Sequence, residues 1–157
     1  MRLLIQRVNR ASVSVEGTLI SKTGKGLLVF LGVGHNDTEA QVDYLARKTV
    51  NLRIFGDDEG KMNLSVKNIG GEILLISQFT LYADTKKGNR PGFSDSAPPE
   101  KAKSLYEYFG KSLNELGVPT KFGKFGALME IDLLNFGPAT FLLEREYNQN
   151  KSAHPKS

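Results

Sequence analysis

The sequence predicts a single α/β domain: a mixed, largely antiparallel β-sheet forming a barrel-like core, with two main helices packed against it. Three observations lead there. The chain has 157 residues, 39% of them hydrophobic, which fills one core well and is too little for two. Its patterned segments run strands, helix, strand, helix, strands, with no internal repeat. The first segments follow one another through short turns, so the chain opens as a meander, in which neighbouring strands are antiparallel. The domain is expected over residues 1–147, followed by a polar, disordered tail at 148–157.

The elements follow in order. "LLIQRV" and "ASVSVEG" read as two strands, the second alternating through Val13 and Val15, and "GKGLLVFLGV" is a continuous apolar run of the kind found in buried strands. "NDTEAQVDYLARKTVNL" offers Asp37 or Thr38 as N-cap and places Val42, Leu45, Ala46 and Val50 at helical spacing. "GDDEGKMN" is a polar turn. A second helix is expected from about Pro99 to Leu116, with proline in its first turn, Gly117 just past its end, and Ala102, Leu105, Tyr106, Phe109, Leu113 and Leu116 on one stripe. After it, "VPTKFGKFGALMEIDLLNFGPATFLLER" gives two or three strands punctuated by Gly123, Gly126 and Gly137–Pro138.

Between the helices lies "ILLISQFTLYAD", Ile73 to Asp84, read as a strand. Period-two alternation sends Leu75, Ser77, Phe79 and Leu81 to one face and Leu74, Ile76, Gln78, Thr80 and Tyr82 to the other. Both faces begin apolar and turn polar near the end. A buried hydroxyl or amide without a partner costs roughly 1–3 kcal/mol. One such group would be paired internally; Ser77, Gln78 and Thr80 so close together point to the wall of a pocket. The strand runs into the only long loop, "ADTKKGNRPGFSDSAPPE", which carries Lys86, Lys87 and Arg90, with Lys101 and Lys103 beyond it.

Composition removes several chemistries. Cysteine is absent, so there are no disulfides, thiolate nucleophiles or cysteine-held metals, and the chain suits a reducing, cytosolic setting. Only two histidines occur, His35 and His154, so a multi-histidine metal site is nearly excluded and a Ser–His–Asp triad would have to recruit one of them. The N-terminal segment has no small-residue cleavage site, and no stretch approaches the roughly 20 apolar residues of a membrane span. A soluble protein that is not exported is expected. The net charge of +4 permits an anionic partner without demanding one.

Candidate chemistry then centres on residues 77–80. Backbone N–H groups beside Gln78 and Thr80 are able to serve an oxyanion if the strand ends at a cleft. Thr80 is a candidate nucleophile or positioning hydroxyl, but no histidine lies nearby to act as its base. The cationic loop offers contacts to a phosphate backbone. "KFGKFG", Lys121 to Gly126, interleaves aromatics and lysines, which serves either base stacking or the core. "NFGPAT", Asn135 to Thr140, is a tight turn by default.

Taken together, "LIQRVNRASVSVEG", "KMNLSV", "SQFTL", "KGNRPGF" and "NFGPAT" resemble, in order and spacing from residue 1 to about 145, the bacterial and eukaryotic type of D-aminoacyl-tRNA deacylase. The resemblance implies that family's fold. It also implies a homodimer that hydrolyses the ester between a D-amino acid, or mischarged glycine, and the terminal adenosine of tRNA, with no metal or organic cofactor. It implies that Ser77, Gln78, Phe79 and Thr80 line the aminoacyl pocket, with Gln78, Phe79 and Thr80 at the reacting centre. Gly137 and Pro138 match a Gly-cis-Pro pair that enters the other subunit's pocket, takes the α-amino group and excludes an L side chain. Lys86, Lys87 and Arg90 are expected to meet the acceptor end of the tRNA. Attack by water, with the substrate's 2′-hydroxyl assisting, is favoured over a Thr80 acyl-enzyme. A non-enzymatic nucleic-acid-binding module, and an editing enzyme for an L-amino acid, are the rival readings.

Overall fold

Glu16 and Gly17 turn the chain with φ of 51° and 77°. A two-residue hairpin loop of type I′ needs positive φ at both central positions. They join β1 (Arg2–Val15) to β2 (Thr18–Thr23) in the computed structural model, which describes residues 1–148. β1 is one strand where the sequence suggested two. Asn9 and Arg10, the exposed residues between its apolar runs, sit at an irregularity in the pairing and not in a turn. That irregularity also resets the alternation. Leu3 and Ile5 join the core beneath the helices, while Val8, Ala11 and Val13 join a second cluster. β2 was not anticipated at all, because Leu19 and Ile20 are exposed and the strand shows no inward apolar alternation.

The chain continues into β3 (Gly26–Gly32), so that β1 pairs antiparallel with β2 over Ala11–Val15 and with β3 over Arg2–Val8. Over both stretches β1 also pairs antiparallel with β8 (Glu130–Glu144), which therefore occupies its opposite edge. β3 pairs in parallel with β6 (Glu72–Ser77), and β6 in parallel with β7 (Thr120–Phe122). The path β2-β1-β3-β6-β7 curls until its ends nearly meet. Ser21 Oγ on β2 donates to the Phe122 carbonyl on β7 at 2.6 Å, and Lys121 Nζ donates to the Lys22 carbonyl at 2.8 Å. The sheet is mixed, mostly antiparallel by length, and almost closed into a barrel.

Both faces of this sheet are covered, which is why β3 and β6 read as continuous apolar runs. Leu27, Val29, Leu31, Ile73 and Leu75 face the helices, and Leu28, Leu74 and Ile76 face the barrel interior with Val8, Ala11 and Val13. Helix α1 (Glu39–Asn51) starts at Thr38, whose hydroxyl accepts from the Ala40 amide while Gln41 Oε1 accepts from the Thr38 amide at 2.7 Å, a capping box. It buries Val42, Leu45, Ala46 and Val50 as predicted. The polar turn after it joins the short pair β4 (Phe55–Gly56) and β5 (Met62–Leu64). Helix α2 (Pro99–Glu115) buries Leu105, Tyr106, Phe109 and Leu113, with Ala102 and Leu116 half-buried at its margins. Phe122 and Phe125 pack edge-on and tilted against Tyr106, so the aromatics of "KFGKFG" are half-buried side chains packed against the core.

The strand expected through Ile73–Asp84 ends early. Its last ladder bond is Gln78 N to the Leu31 carbonyl at 2.8 Å, β3 ends at Gly32, and β7 pairs no further than Leu75. With no neighbour left on either edge, the chain winds into a 3-10 turn at Phe79–Tyr82. Gln78 and Thr80 therefore do not share a strand face. No helix among the described residues is long and apolar enough to cross a membrane. The predicted tail lies outside the described residues except for Asn148.

Candidate active site

Where β6 gives way to the 3-10 turn, a cavity of about 630 Å³ opens between the sheet, the start of α2 and the segment before β8. Ser77, Gln78 and Phe79 line it, together with Phe93, Phe125 and Leu128. Its wall is largely apolar; Ser77 and Gln78 at the end of β6 and Ser96 are its polar side chains, while Thr80, which the sequence also placed in a pocket wall, does not line it. Phe79 is 55% exposed and meets Phe93 edge-on, with ring centroids 4.9 Å apart, while Leu128 is 93% exposed at the rim. Large side chains left this open at the mouth of a cavity mark a surface that has something to bind.

The turn sets the polarity of this end. In a 3-10 helix each N–H bonds three residues back, so the amides of Phe79 and Thr80, the first two of the turn, have no partner within it. No hydrogen-bond partner of either amide occurs among the described residues, and Phe79 lines the cavity, so the start of the turn is suited to a carbonyl oxygen that gains negative charge. Thr80 is exposed, and Gln78 Nε2 donates to its Oγ at 2.5 Å. The neighbour of the hydroxyl is thus a side-chain amide and not a base. That arrangement orients the hydroxyl and does nothing to strengthen it as a nucleophile.

Lys86, Lys87 and Arg90 are exposed on the loop after the turn, which Asp84 and Gly92 pinch into a small hairpin through reciprocal backbone bonds of 2.8 and 2.9 Å. The residues that follow, Phe93, Ser96 and Ala97, return to the cavity wall. The cationic tip is therefore tethered to the cavity at both ends.

Gly137 and Pro138 lie elsewhere. β8 pairs with β1 up to Asn135, opposite Val8, and again from Thr140, opposite Gln6, so Phe136 to Ala139 stand out from a strand that is otherwise continuous. The Gly137–Pro138 bond is cis, and Gly137 has φ of 138°, a conformation that L side chains rarely adopt. Neither residue lines the cavity of its own chain. Within one chain the structure brings Ser77, Gln78, Phe79 and Thr80 together and keeps this turn apart from them.

Two residues that shape the turn had no assigned role in the sequence reading. Asn135 accepts from the Ala139 amide at 2.9 Å and donates to the Ala139 carbonyl at 3.0 Å, closing the excursion like a clasp. Arg7, only 9% exposed, donates from Nε to the Phe136 carbonyl at 2.9 Å and from Nη1 to the Ile54 carbonyl at 2.7 Å. A signal existed for Arg7: arginine inside an apolar strand is buried only when its guanidinium has partners. No group of three or more His, Cys, Asp or Glu side chains among the described residues could hold a metal ion.

Comparison with known proteins bears on the whole arrangement. A family model described as D-Tyr-tRNA(Tyr) deacylase matches residues 4–144. Curated proteins named D-aminoacyl-tRNA deacylase from Roseiflexus castenholzii and Thermosipho melanesiensis are each 56% identical to this chain, covering 92% of it and 92% and 97% of their own lengths. A solved structure titled "c-Myc DNA Unwinding Element Binding Protein" is 42% identical, with a TM-score of 0.89, over 94% of this chain and 100% of that one. Another, described as a probable eukaryotic D-amino acid tRNA deacylase, shares the fold, with a TM-score of 0.76 at 16% identity over 90% of this chain and 97% of that one. With a match that runs from β1 to the end of β8 and so takes in the cavity, the 3-10 turn and the Gly137–Pro138 excursion, this chain belongs to the D-Tyr-tRNA(Tyr) deacylase family.

Proposed function

We propose that this protein hydrolyses the ester linking a D-amino acid, or mischarged glycine, to the terminal adenosine of tRNA, releasing the free amino acid and tRNA. The observation that carries the reading is the pairing of an open, apolar cavity, lined by Phe79, with a 3-10 turn whose first two amides, those of Phe79 and Thr80, have no partner within the turn. Water attacks the ester carbonyl. The amides receive the developing oxyanion, and the 2′-hydroxyl of the terminal adenosine helps to activate the water. Ser77 and Gln78 shape the aminoacyl end of the pocket. The bond between Gln78 and Thr80 supports this mechanism over an acyl-enzyme, since it gives Thr80 Oγ an amide and not a base as its neighbour.

The working unit is a homodimer in which Gly137 and Pro138 of one subunit complete the cavity of the other. Support comes from the position of the pair on an exposed excursion away from its own cavity, and from the exposed apolar residues Leu134, Phe136 and Leu142 on the same strand. The backbone of this turn holds the substrate's α-amino group and stands where an L side chain would point. Rejection by collision with fixed backbone can exceed the roughly 1–3 kcal/mol that a methylene contributes in an apolar pocket. Lys86, Lys87 and Arg90 meet phosphates of the acceptor end. The protein acts in the cytoplasm, where charged tRNA is used.

A second reading has one observation in its favour. The structural neighbour at 42% identity carries a title naming a DNA element, and the exposed cationic hairpin would serve a nucleic acid without any chemistry. Matched D- and L-tyrosyl-tRNA separate the readings. Release of tyrosine from the D-ester alone is expected. Protection of both esters would leave a binding module, and release from the L-ester would point to an editing enzyme of the opposite hand.

A further inference from the structure

At the end of the 3-10 turn that faces away from the cavity, three side chains close a ring. Arg2 sits over the Tyr82 ring, with its guanidinium carbon 4.4 Å from the centroid, and its Nε lies 3.3 Å from Glu146 Oε1. The Tyr82 hydroxyl lies 3.3 Å from both carboxylate oxygens of Glu146. From this ring Arg2 Nη1 donates to the Leu81 carbonyl, within the turn itself, at 2.9 Å. Tyr82 is 4% exposed. Its burial, then the nearby carboxylates of Asp37 and Glu146, push its hydroxyl above the ordinary tyrosine value, so it remains a proton donor to Glu146.

The turn also lies flat on the end of β3. A Cβ at Gly32 would come within 2.9 Å of Leu81 Cβ and 3.1 Å of the Gln78 carbonyl, and one at Gly34 within 2.8 Å of the Tyr82 hydroxyl. At the turn's two ends Leu81 N reaches the Gln78 carbonyl at 3.4 Å and Ala83 N the Thr80 carbonyl at 3.1 Å. The hydrogen-bond geometry of a 3-10 turn is poorer than that of an α-helix, so contacts from outside it help to set its direction. Oxyanion donors are useful only where their direction is fixed before the charge develops.

We infer that Arg2 and Tyr82 are positioning residues, clamping the far end of the 3-10 turn so that the amides of Phe79 and Thr80, at its start beside the cavity, are held in one direction. Neither side chain touches the substrate. Tyr82 supports the guanidinium from below, Glu146 ties the two together, and the guanidinium grips the turn through the Leu81 carbonyl. The inference rests on the proposed function for its effect on rate, but the clamp itself is a property of the fold and can be tested without any activity.

The test uses Arg2→Met, Arg2→Lys and Tyr82→Phe in the full chain, with kcat and KM for D-tyrosyl-tRNA, the thermal midpoint, and amide exchange of residues 79–81 read by NMR. Arg2→Met should lower kcat by roughly 10- to 100-fold, the scale on which small misplacements act. Its KM should change little, its thermal midpoint should stay close to that of the unmodified protein, and its amides at residues 79–81 should exchange faster. Arg2→Lys, which restores a donor to Leu81, should recover most of kcat. Tyr82→Phe, which keeps the ring and loses the Glu146 bond, should show a smaller fall. Unchanged kcat and unchanged exchange in Arg2→Met would overturn the inference, as would a loss that follows the thermal midpoint across the variants or one that lysine fails to rescue. Unchanged kcat in Tyr82→Phe would remove Tyr82 from the clamp. If the unmodified protein hydrolyses no D-aminoacyl ester, the functional reading fails while the exchange rates still decide for or against the clamp.

Discussion

Arg7 holds Phe136 in two ways: Nε donates to its carbonyl at 2.9 Å, and the guanidinium carbon lies 5.0 Å from the centroid of its ring. A buried cation on β1 thereby fixes the start of the excursion on β8, and its second bond, to the Ile54 carbonyl, ties both to the segment after α1. Removing the cation leaves two carbonyls without their donor. Arg7→Met keeps much of the stem and should cost about 2–4 kcal/mol in urea unfolding. Arg7→Lys should cost less, since one amine reaches one carbonyl where the planar guanidinium reaches two. Equal stability of Arg7→Met and the unmodified protein would show that water replaces these bonds at no cost.

The Gln78–Thr80 bond leads to a prediction about mechanism. If water attacks and Thr80 Oγ only orients, Thr80→Ala should keep single-turnover hydrolysis of D-tyrosyl-tRNA within about tenfold, because the Thr80 amide is untouched by the change. A loss of several orders of magnitude would return Thr80 to the role of nucleophile.

Much of this was legible in the sequence, for reasons that particular residues make plain. Val42, Leu45, Ala46 and Val50 lie on one side of a helix of ordinary length, and Thr38 begins it with a side chain that only an N-cap uses well. Ser77 and Gln78 stood out because polar groups at the end of an apolar run need a partner or a pocket, and both line one. The sequence misled where pairing partners decide the outcome. Residues 79–82 alternate like a strand, yet no neighbour remains to bond them, so they wind into a 3-10 turn. Asn9 and Arg10 look like a break, yet β8 continues alongside and carries β1 through. β2 stayed hidden because its apolar side chains, Leu19 and Ile20, are exposed and its buried side chain, Thr23, is polar. The clasp formed by Asn135 and the grip of Arg7 join residues far apart in the chain or across an irregular turn, and local patterns do not register such contacts.

The basic hairpin should act through affinity. Lys86, Lys87 and Arg90 are all exposed, and each phosphate contact contributes about 0.7 to 0.9 to the slope of log affinity against log salt. Replacing all three with alanine should weaken tRNA binding and flatten that slope by up to about 2–3. The rate at saturating substrate should hold. A slope identical to that of the unmodified protein would leave these side chains in solvent.

The separation of Gly137–Pro138 from the cavity of its own chain makes the proposed sharing of the site between subunits testable by complementation. One variant disables the pocket: Ser77→Phe fills the cavity from the strand that ends beside it. The other disables the turn: in Gly137→Ala the new Cβ would sit 2.8 Å from Arg7 Nη2 and 2.9 Å from the Ala139 amide, at a φ of 138° that alanine adopts only under strain. Each variant alone should lose most hydrolysis of D-tyrosyl-tRNA. Unfolded and refolded as an equal mixture, they should form mixed dimers in which one site joins two damaged parts and the other joins an intact pocket to an intact turn. About a quarter of the unmodified activity should then return, since about half of the dimers are mixed and each holds one good site of two. If the turn instead served its own chain, every site in a mixed dimer would carry one damaged part and nothing would return. Recovery on mixing is therefore an outcome that only a site built across two subunits can produce, and its absence in mixtures shown to contain mixed dimers would confine Gly137 and Pro138 to their own subunit.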